Sequence, residues 1–319
     1  MATFPMQHSD WRITRRDFLK YLGTTFAYLP LSSVVRPGRL CAGGTQIRFG
    51  MVTDCHYADR VPRGTRYYRH SFQKMTECVE ALNEQTALFL VELGDLKDRD
   101  KPGNEHRVLS YLHIIEDVLQ QFNGATYHVL GNHDMDCISK SQFLAAVTNT
   151  GIPPRRTYYS FDAKDIHFVV LDANFLSDGT PYDHGNFNWK DTNIPAHELA
   201  WLGRDLAKTP LPAVVFIHQP LDGSGRYYVN NADAVRGVLA ASGKVLAVFQ
   251  GHYHQGAHTC LNGIHYYTLR AMVEGPGTEN NSFAVVDIYD DCSITVTGFR
   301  KAASRKMPRT AHSPNAVSL

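Results

Sequence analysis

The chain contains no Cys-x-x-Cys pair, no charge imbalance, no internal repeat and no low-complexity tract. Its six cysteines, Cys41, Cys55, Cys78, Cys137, Cys260 and Cys292, are scattered. That spacing argues against a thiolate zinc site, and small buried hydrophobes are the simpler reading. A Cys137–Cys260 disulfide stays open, because connectivity is not legible in a sequence. Lys+Arg number 32 and Asp+Glu 31, for a net charge of +1. Neither nucleic acid nor an anionic membrane is indicated as the main partner. A mildly apolar stretch from Tyr21 to Val35 is interrupted by Gly23, Thr24, Thr25 and Pro30. It is too short and too broken for a stable membrane span.

What remains is ordinary globular material. The chain has 319 residues, 43% hydrophobic and 20% charged, enough for one large α/β domain with a full core. Residues 46–300 read as that domain. Short apolar runs alternate with amphipathic helix-length segments, the pattern of an α/β sandwich. Strands are expected at Ile47–Thr53, Ala87–Leu93, Thr126–Leu130, Ala213–Ile217 and Val245–Phe249. Tyr158–Phe161 and Ile166–Leu171 suggest a hairpin. Later strands fall at His265–Ala271, Phe283–Tyr289 and Ser293–Phe299. Helices are expected at His70–Thr86, with Phe72, Met75, Val79 and Leu82 inward, and at Arg107–Phe122, with Val108, Leu112, Ile115 and Leu119 inward. Two more are expected at Ala196–Ala207 and from an Asn231 N-cap through Ala241. The basic, proline-containing tail, 301–319, reads as disordered.

The polar residues at the ends of those strands are the informative feature. Asp54 and His56 follow the first strand, and Gly94-Asp95 the second. Gly131-Asn132-His133-Asp134 follows the third; His218 and Gly251-His252-Tyr253-His254 follow two later ones. Ligand sites in α/β sheets gather outside the carboxyl ends of strands, so these residues can converge. If the segments are extended, residues two apart point the same way, and Asp54 with His56, or His252 with His254, could grip one ion. Carboxylate, amide oxygen and imidazole suit Mn, Fe or Zn better than Ca. Taken singly, each piece is an unremarkable turn or surface histidine; five in order are a constellation.

Asp54-x-His56, Gly94-Asp95-x-x-Asp98, Gly131-Asn132-His133-Asp134, His218 and Gly251-His252-x-His254 together resemble the five motifs of calcineurin-like metallophosphoesterases. That resemblance implies a four-layered α/β/β/α sandwich with two divalent metal ions. It implies Asp54, His56, Asp95 and His254 around one ion, and Asp95, Asn132, His218 and His252 around the other. His133 would act on the leaving oxygen and Asp98 would orient His133, with Asp134 as an alternative. Asp54 to Asp59, Arg66-Tyr67-Tyr68-Arg69-His70-Ser71, the Leu199-x-Trp201-Leu202 helix and Glu274-Gly275 are similar to Mn-dependent ADP-ribose/CDP-alcohol diphosphatases. The chain departs from them at His56, where those enzymes usually carry Gln, and in a shorter loop before Trp201. His at that position is what cyclic-nucleotide phosphodiesterases and general phosphoesterases carry.

The implied activity is hydrolysis of a phosphodiester or diphosphate bond of a small nucleotide-like substrate. Two ions about 3.5–4 Å apart would activate a bridging water as hydroxide. A phosphomonoesterase with the same site, and a non-enzymatic metal-binding protein, are the alternatives. Tyr57, Arg226 and Tyr227 are candidate substrate-binding residues. Arg66 and Arg69 could meet a second phosphate, and Asp172, Asn174 and Glu274 could support the ligands. Finally, Thr14-Arg15-Arg16-Asp17-Phe18-Leu19-Lys20 resembles a twin-arginine export signal. Residues 1–42 are therefore read as an address, which implies the twin-arginine machinery as a partner and a periplasmic or otherwise extracytoplasmic location. Leu40-Cys41-Ala42 is a rough cleavage site, and Leu40 with Arg39 makes a poor lipobox.

Overall fold

The computed structural model describes residues 44–310, and the expected export segment, 1–42, lies outside them. The described residues fall in one compact unit.

Two six-stranded sheets carry the fold. In the first, β1 (Thr45–Val52), β2 (Phe89–Glu92) and β3 (Ala125–His128) are mutually parallel. β10 (Ser282–Tyr289), β11 (Ile294–Arg300) and β12 (Arg305–Met307) continue it antiparallel beyond β1. In the second, β5 (Ile166–Val170), β6 (Ala213–Phe216), β7 (Val245–Gln250) and β9 (Ile264–Thr268) are parallel. β4 (Tyr159–Ala163) and β8 (Ala257–Leu261) are its antiparallel edges.

Period-two alternation decides which face each side chain takes. Phe49 and Met51 of β1 and Phe89 of β2 point toward Phe168, Phe216 and Phe249 of the other sheet, forming the central core. Phe49 and Phe89 stack with centroids 4.8 Å apart, and such pairs contribute about 0.5–1.5 kcal/mol beyond area burial. The opposite faces are covered by helices. On the first sheet α1 (His70–Glu84), α2 (Glu105–Leu119) and α3 (Lys140–Ala146) pack over Val52 and Leu90. On the second, α4 (Ala196–Lys208) and α5 (Ala232–Ser242) cover Val169, Val215 and Val248. The layers are thus α/β/β/α, as expected.

The differences from the sequence reading are local. The tail does not run free after Lys301: Arg305–Met307 adds an edge strand, with Met307 buried opposite Ile294. A short strand with one apolar side chain leaves almost no periodic signal. α3 and β8 were also not anticipated, although Ser139 and Gln142 form a capping box at α3. Phe72 is 41% exposed, and Cys78 takes an inward position beside Met75, Val79 and Leu82. Asn231 makes no cap hydrogen bond; its side chain bonds both backbone groups of Ile194. The five described cysteines, Cys137 and Cys260 among them, are free thiols. No helix among the described residues is long and apolar enough to cross a membrane.

Candidate metal centre

Because β1, β2 and β3 run parallel, as do β6 and β7, the loops leaving their carboxyl ends share one edge of the sandwich. The backbone sews the loops together. Asp54 N–H donates to Gly94 O at 3.0 Å, and Gly251 N–H to His218 O at 2.9 Å. Close approach needs the glycines. Gly94 has φ +99°, and a Cβ there would meet His218 Nδ1 at 2.6 Å. A Cβ on Gly251 would press against the Asp54 carboxylate at 3.0 Å.

The ligand pairs do not sit on extended backbone, contrary to the simple alternation argument. Asp54, His56, Asp95 and His252 all have left-handed φ, at 52°, 48°, 61° and 65°. Such residues cost of order 1–3 kcal/mol each and persist where surrounding bonds over-determine them. Here those bonds are present: His56 N–H donates to Asp95 O at 2.8 Å, and Val273 N–H to Asp54 O at 3.0 Å.

Two groups of side chains result. Asp54, His56 and His254 converge, with Asp54 Oδ1 at 3.6 Å from His56 Nε2 and 3.3 Å from His254 Nε2. Asp95, His218 and His252 converge, with His218 Nε2 at 3.3 Å from Asp95 Oδ2. The same Asp95 oxygen is 3.5 Å from His56 Nε2, so Asp95 faces both groups. His252 and His254 therefore belong to different groups, although they are two residues apart. Asn132 joins the wall of the same cleft.

Four of the ligands are fastened on their outer side. His218 Nδ1 bonds Leu93 O at 2.8 Å, and His254 Nδ1 bonds Glu274 Oε1 at 2.6 Å. Asp54 Oδ2 accepts from Thr53 Oγ1 and from His252 N–H, at 2.8 and 2.9 Å. Asp95 Oδ1 accepts from His133 N–H at 2.6 Å. The inner atoms have no such partners: Asp54 Oδ1, His56 Nε2, Asn132 Oδ1, His218 Nε2 and His252 Nε2 are buried without a hydrogen bond. Buried polar atoms are normally satisfied. A convergent set of unpaired oxygens and imidazole nitrogens, several of them on side chains held from behind, fits divalent cations.

Electrostatics point the same way. Burial opposes ionisation of Asp54 and Asp95, yet His254 holds Asp54, and His218 holds Asp95, well below the usual carboxylate range. Burial likewise opposes charge on His218, but Asp95 carries it up to about 10. His252, buried beside His218, is pushed down to about 3.

The outer residues divide. Asp98 Oδ2 lies 3.5 Å from His56 Nδ1 and 3.7 Å from His133 Nδ1. Asp134 does not face His133; its carboxylate accepts the N–H groups of Asp95, Leu96 and Gly131 and pins two ligand loops together. Tyr57 leaves the cleft and packs edge-on to Tyr111 at 6.1 Å, so its candidacy for substrate is not supported. Tyr227 lines the cleft with Arg66 and Trp189. Arg226 is exposed and lies over the Tyr227 ring at 4.9 Å. Arg69 pairs with Asp59 at the surface. Asn174 bonds Leu130 O and Gln219 Nε2, bracing two ligand loops, and Asp172 takes Lys140. Trp189 was missed. Its signal was a large aromatic in the polar run Asn186–Asp191.

Comparison with known proteins agrees with this geometry. Residues 47–256 match the family model of calcineurin-like phosphoesterases. A manganese-dependent ADP-ribose/CDP-alcohol diphosphatase of Oryza sativa subsp. japonica is 29% identical over 306 residues, covering 81% of this chain and 93% of that protein. A probable cyclic nucleotide phosphodiesterase of Rhodopseudomonas palustris is 26% identical over 238 residues, covering 71% of this chain and 78% of that protein. The crystal structure of a dimetal phosphatase from Danio rerio superposes with a TM-score of 0.71 at 20% identity, covering 84% of this chain and all of that one. With the strand-end motifs in order and the family match spanning most of the described residues, the chain belongs to the calcineurin-like phosphoesterase family and is a metallophosphoesterase, a hydrolase.

Proposed function

We propose that the chain hydrolyses a phosphodiester or diphosphate bond in a small nucleotide-like substrate, using two divalent ions. One is held by Asp54, His56, Asp95 and His254, the other by Asp95, Asn132, His218 and His252. When bound, the ions supply Lewis acidity and a water-derived nucleophile at neutral pH. The observation that carries the reading is the cleft wall: Arg66, Trp189 and Tyr227 face the same space as Asp95, His133, His252 and His254. A monoester needs only the ions and an acid. A guanidinium and two aromatic rings beside them suit a second phosphate and a planar ring.

His133 supports departure of the leaving group. It lines the cleft, and although burial opposes its charge, Asp98 leads the carboxylates that raise it to about 10. It can therefore hold a proton for the oxygen that leaves. Mn is the metal named for the rice relative, and the ligand set accepts it.

The test is hydrolysis of bis-p-nitrophenyl phosphate against p-nitrophenyl phosphate with Mn²⁺, Fe²⁺ or Zn²⁺, followed by ADP-ribose, CDP-alcohols and cyclic nucleotides. The diester and at least one nucleotide should be the better substrates. Cleavage of the monoester alone would refute the reading. For localisation we propose twin-arginine export, supported by Thr14 to Lys20. Replacing Arg15 and Arg16 by Lys should keep the folded protein inside a host that has that machinery; undiminished export would refute it.

A further inference from the structure

We propose that Lys74, a fully buried lysine of α1, is a positioning residue for the ion of the Asp54–His56–His254 group and acts through Glu274. The inference rests on the metal centre proposed above. Lysines are almost never fully buried unless paired, and the partners of this one are backbone. Its Nζ donates to Met272 O at 2.7 Å, to Gly275 O at 2.8 Å and to Glu274 O at 3.0 Å. An ammonium has three donors, so all are used. Burial draws the group down to about 8, and at neutral pH it keeps its charge and its third donor.

The segment it holds runs directly behind that ion group. Ala271 N–H donates to His254 O at 3.1 Å, Met272 N–H to Thr53 O at 3.1 Å and Val273 N–H to Asp54 O at 3.0 Å. Val273 O accepts from Tyr67 N–H at 3.0 Å. The carbonyls of Met272, Val273, Glu274 and Gly275 are therefore all satisfied, three of them by a single nitrogen. One atom can meet three neighbouring carbonyls only if the chain curls around it, so Lys74 sets the curl. From that curl the Glu274 side chain reaches His254 Nδ1 at 2.6 Å. The far nitrogen of the ring, Nε2, is left 3.3 Å from Asp54 Oδ1.

The same helix also grips the other half of the group. Residues three apart on a helix are neighbours on its surface, and one turn before Lys74 the Ser71 hydroxyl donates to Cys55 O at 2.5 Å. Cys55 is the residue between Asp54 and His56. The second group hangs on different supports, Leu93 O for His218 and His133 N–H for Asp95. Loss of the Lys74 ammonium should therefore reach one ion and spare the other. Desolvating an ammonium is costly, and a methionine stem fills similar space without that cost. A lysine that only filled space could be replaced by methionine with no loss at either ion.

The experiment titrates Mn²⁺ by calorimetry into the full chain and into Lys74→Met, Lys74→Gln, Glu274→Ala and the double variant Lys74→Met/Glu274→Ala. Urea unfolding of each metal-free protein is measured alongside. Lys74→Met should weaken one site about 10–100-fold and leave the other unchanged. Because Lys74 acts through Glu274, the double variant should bind as weakly as Glu274→Ala alone, without the two losses multiplying. Lys74→Gln keeps two N–H donors, so it should fold if the methionine variant does not, with a smaller loss confined to the same site. A residue that only supports the fold would lower the urea midpoint and leave both metal affinities as they were. That result would overturn the proposal, as would equal weakening of both sites or losses that multiply in the double variant. If the unmodified chain binds no Mn²⁺, the metal centre fails and this role with it. If it binds two ions and the Lys74 variants that fold match it, only the positioning role fails.

Discussion

Asp95 and Glu274 illustrate two different ways in which a single side chain serves the centre. Asp95 presents one oxygen to both imidazole groups while the other accepts the His133 N–H. Asp95→Asn removes the charge both proposed ions share, so activity should fall to background and elemental analysis should show at least one metal lost per chain. Full activity with full metal would end the bridging role. Of the ligands, Glu274 bonds His254, and despite burial that contact, with a smaller one from Thr65, holds its carboxyl down at about 2. Glu274→Ala should weaken metal binding about 10–100-fold, but only in the Asp54–His56–His254 group. Titration with Mn²⁺ should then resolve one weak and one unchanged site; two equally weakened sites would refute the assignment. The ligands themselves were legible because they follow apolar runs, three of the five strand ends carrying a glycine. Trp189 was not, because a loop aromatic acquires meaning only from what lies across the gap.

Between elements, a buried ionic cluster ties β2, β3 and α2 behind the ligand loops. His128 Nε2 lies 3.2 Å from Glu116, and Nδ1 lies 3.6 Å from Glu92. Burial would lower His128, but Glu116 and Glu92 raise it to about 10. Burial raises Glu92 to about 7, while Glu116 is lowered by His128 against burial. A histidine raised in the fold contributes stability that is full below its unfolded pKa, about 6.5, and is lost as pH climbs through about 10. His128→Gln leaves buried carboxylate unpaired and should cost about 3–5 kcal/mol near pH 6. Urea unfolding should show that gap shrinking toward pH 9.5; a gap that stays level or widens would mean His128 is not the cation. The strands and helices that hold these groups were mostly readable from periodicity. α3, β8 and β12 were not: α3 buries Phe143 alone, β12 Met307 alone and β8 no residue, so none has an apolar face to detect.

At the scale of the whole molecule, the centre joins two sheets, through loops after β1, β2 and β3 on one side and β6 and β7 on the other. Ions bound there link the halves of the sandwich and should stabilise the native state by mass action. At free metal about 100-fold above Kd, each site contributes about 2.7 kcal/mol, or roughly 5–10 °C in Tm for a domain of this size. A chelator should lower Tm by that order and added Mn²⁺ should restore it, as read by calorimetry. A Tm indifferent to both would mean that the inner atoms hold no ion.

The sequence by itself determined the alternation of strands and helices, the strand-end motifs and the residue types that meet in the cleft. Those follow from short-range periodicity and from side-chain chemistry. Only the tertiary structure decided that Asp54, His56, Asp95 and His252 adopt left-handed backbone instead of extending a strand. It also decided that Tyr57 packs edge-on against Tyr111 and that Arg66, Trp189 and Tyr227 line one cleft. Each of these depends on hydrogen bonds and close approaches between segments far apart in the chain, and local sequence carries no record of such contacts.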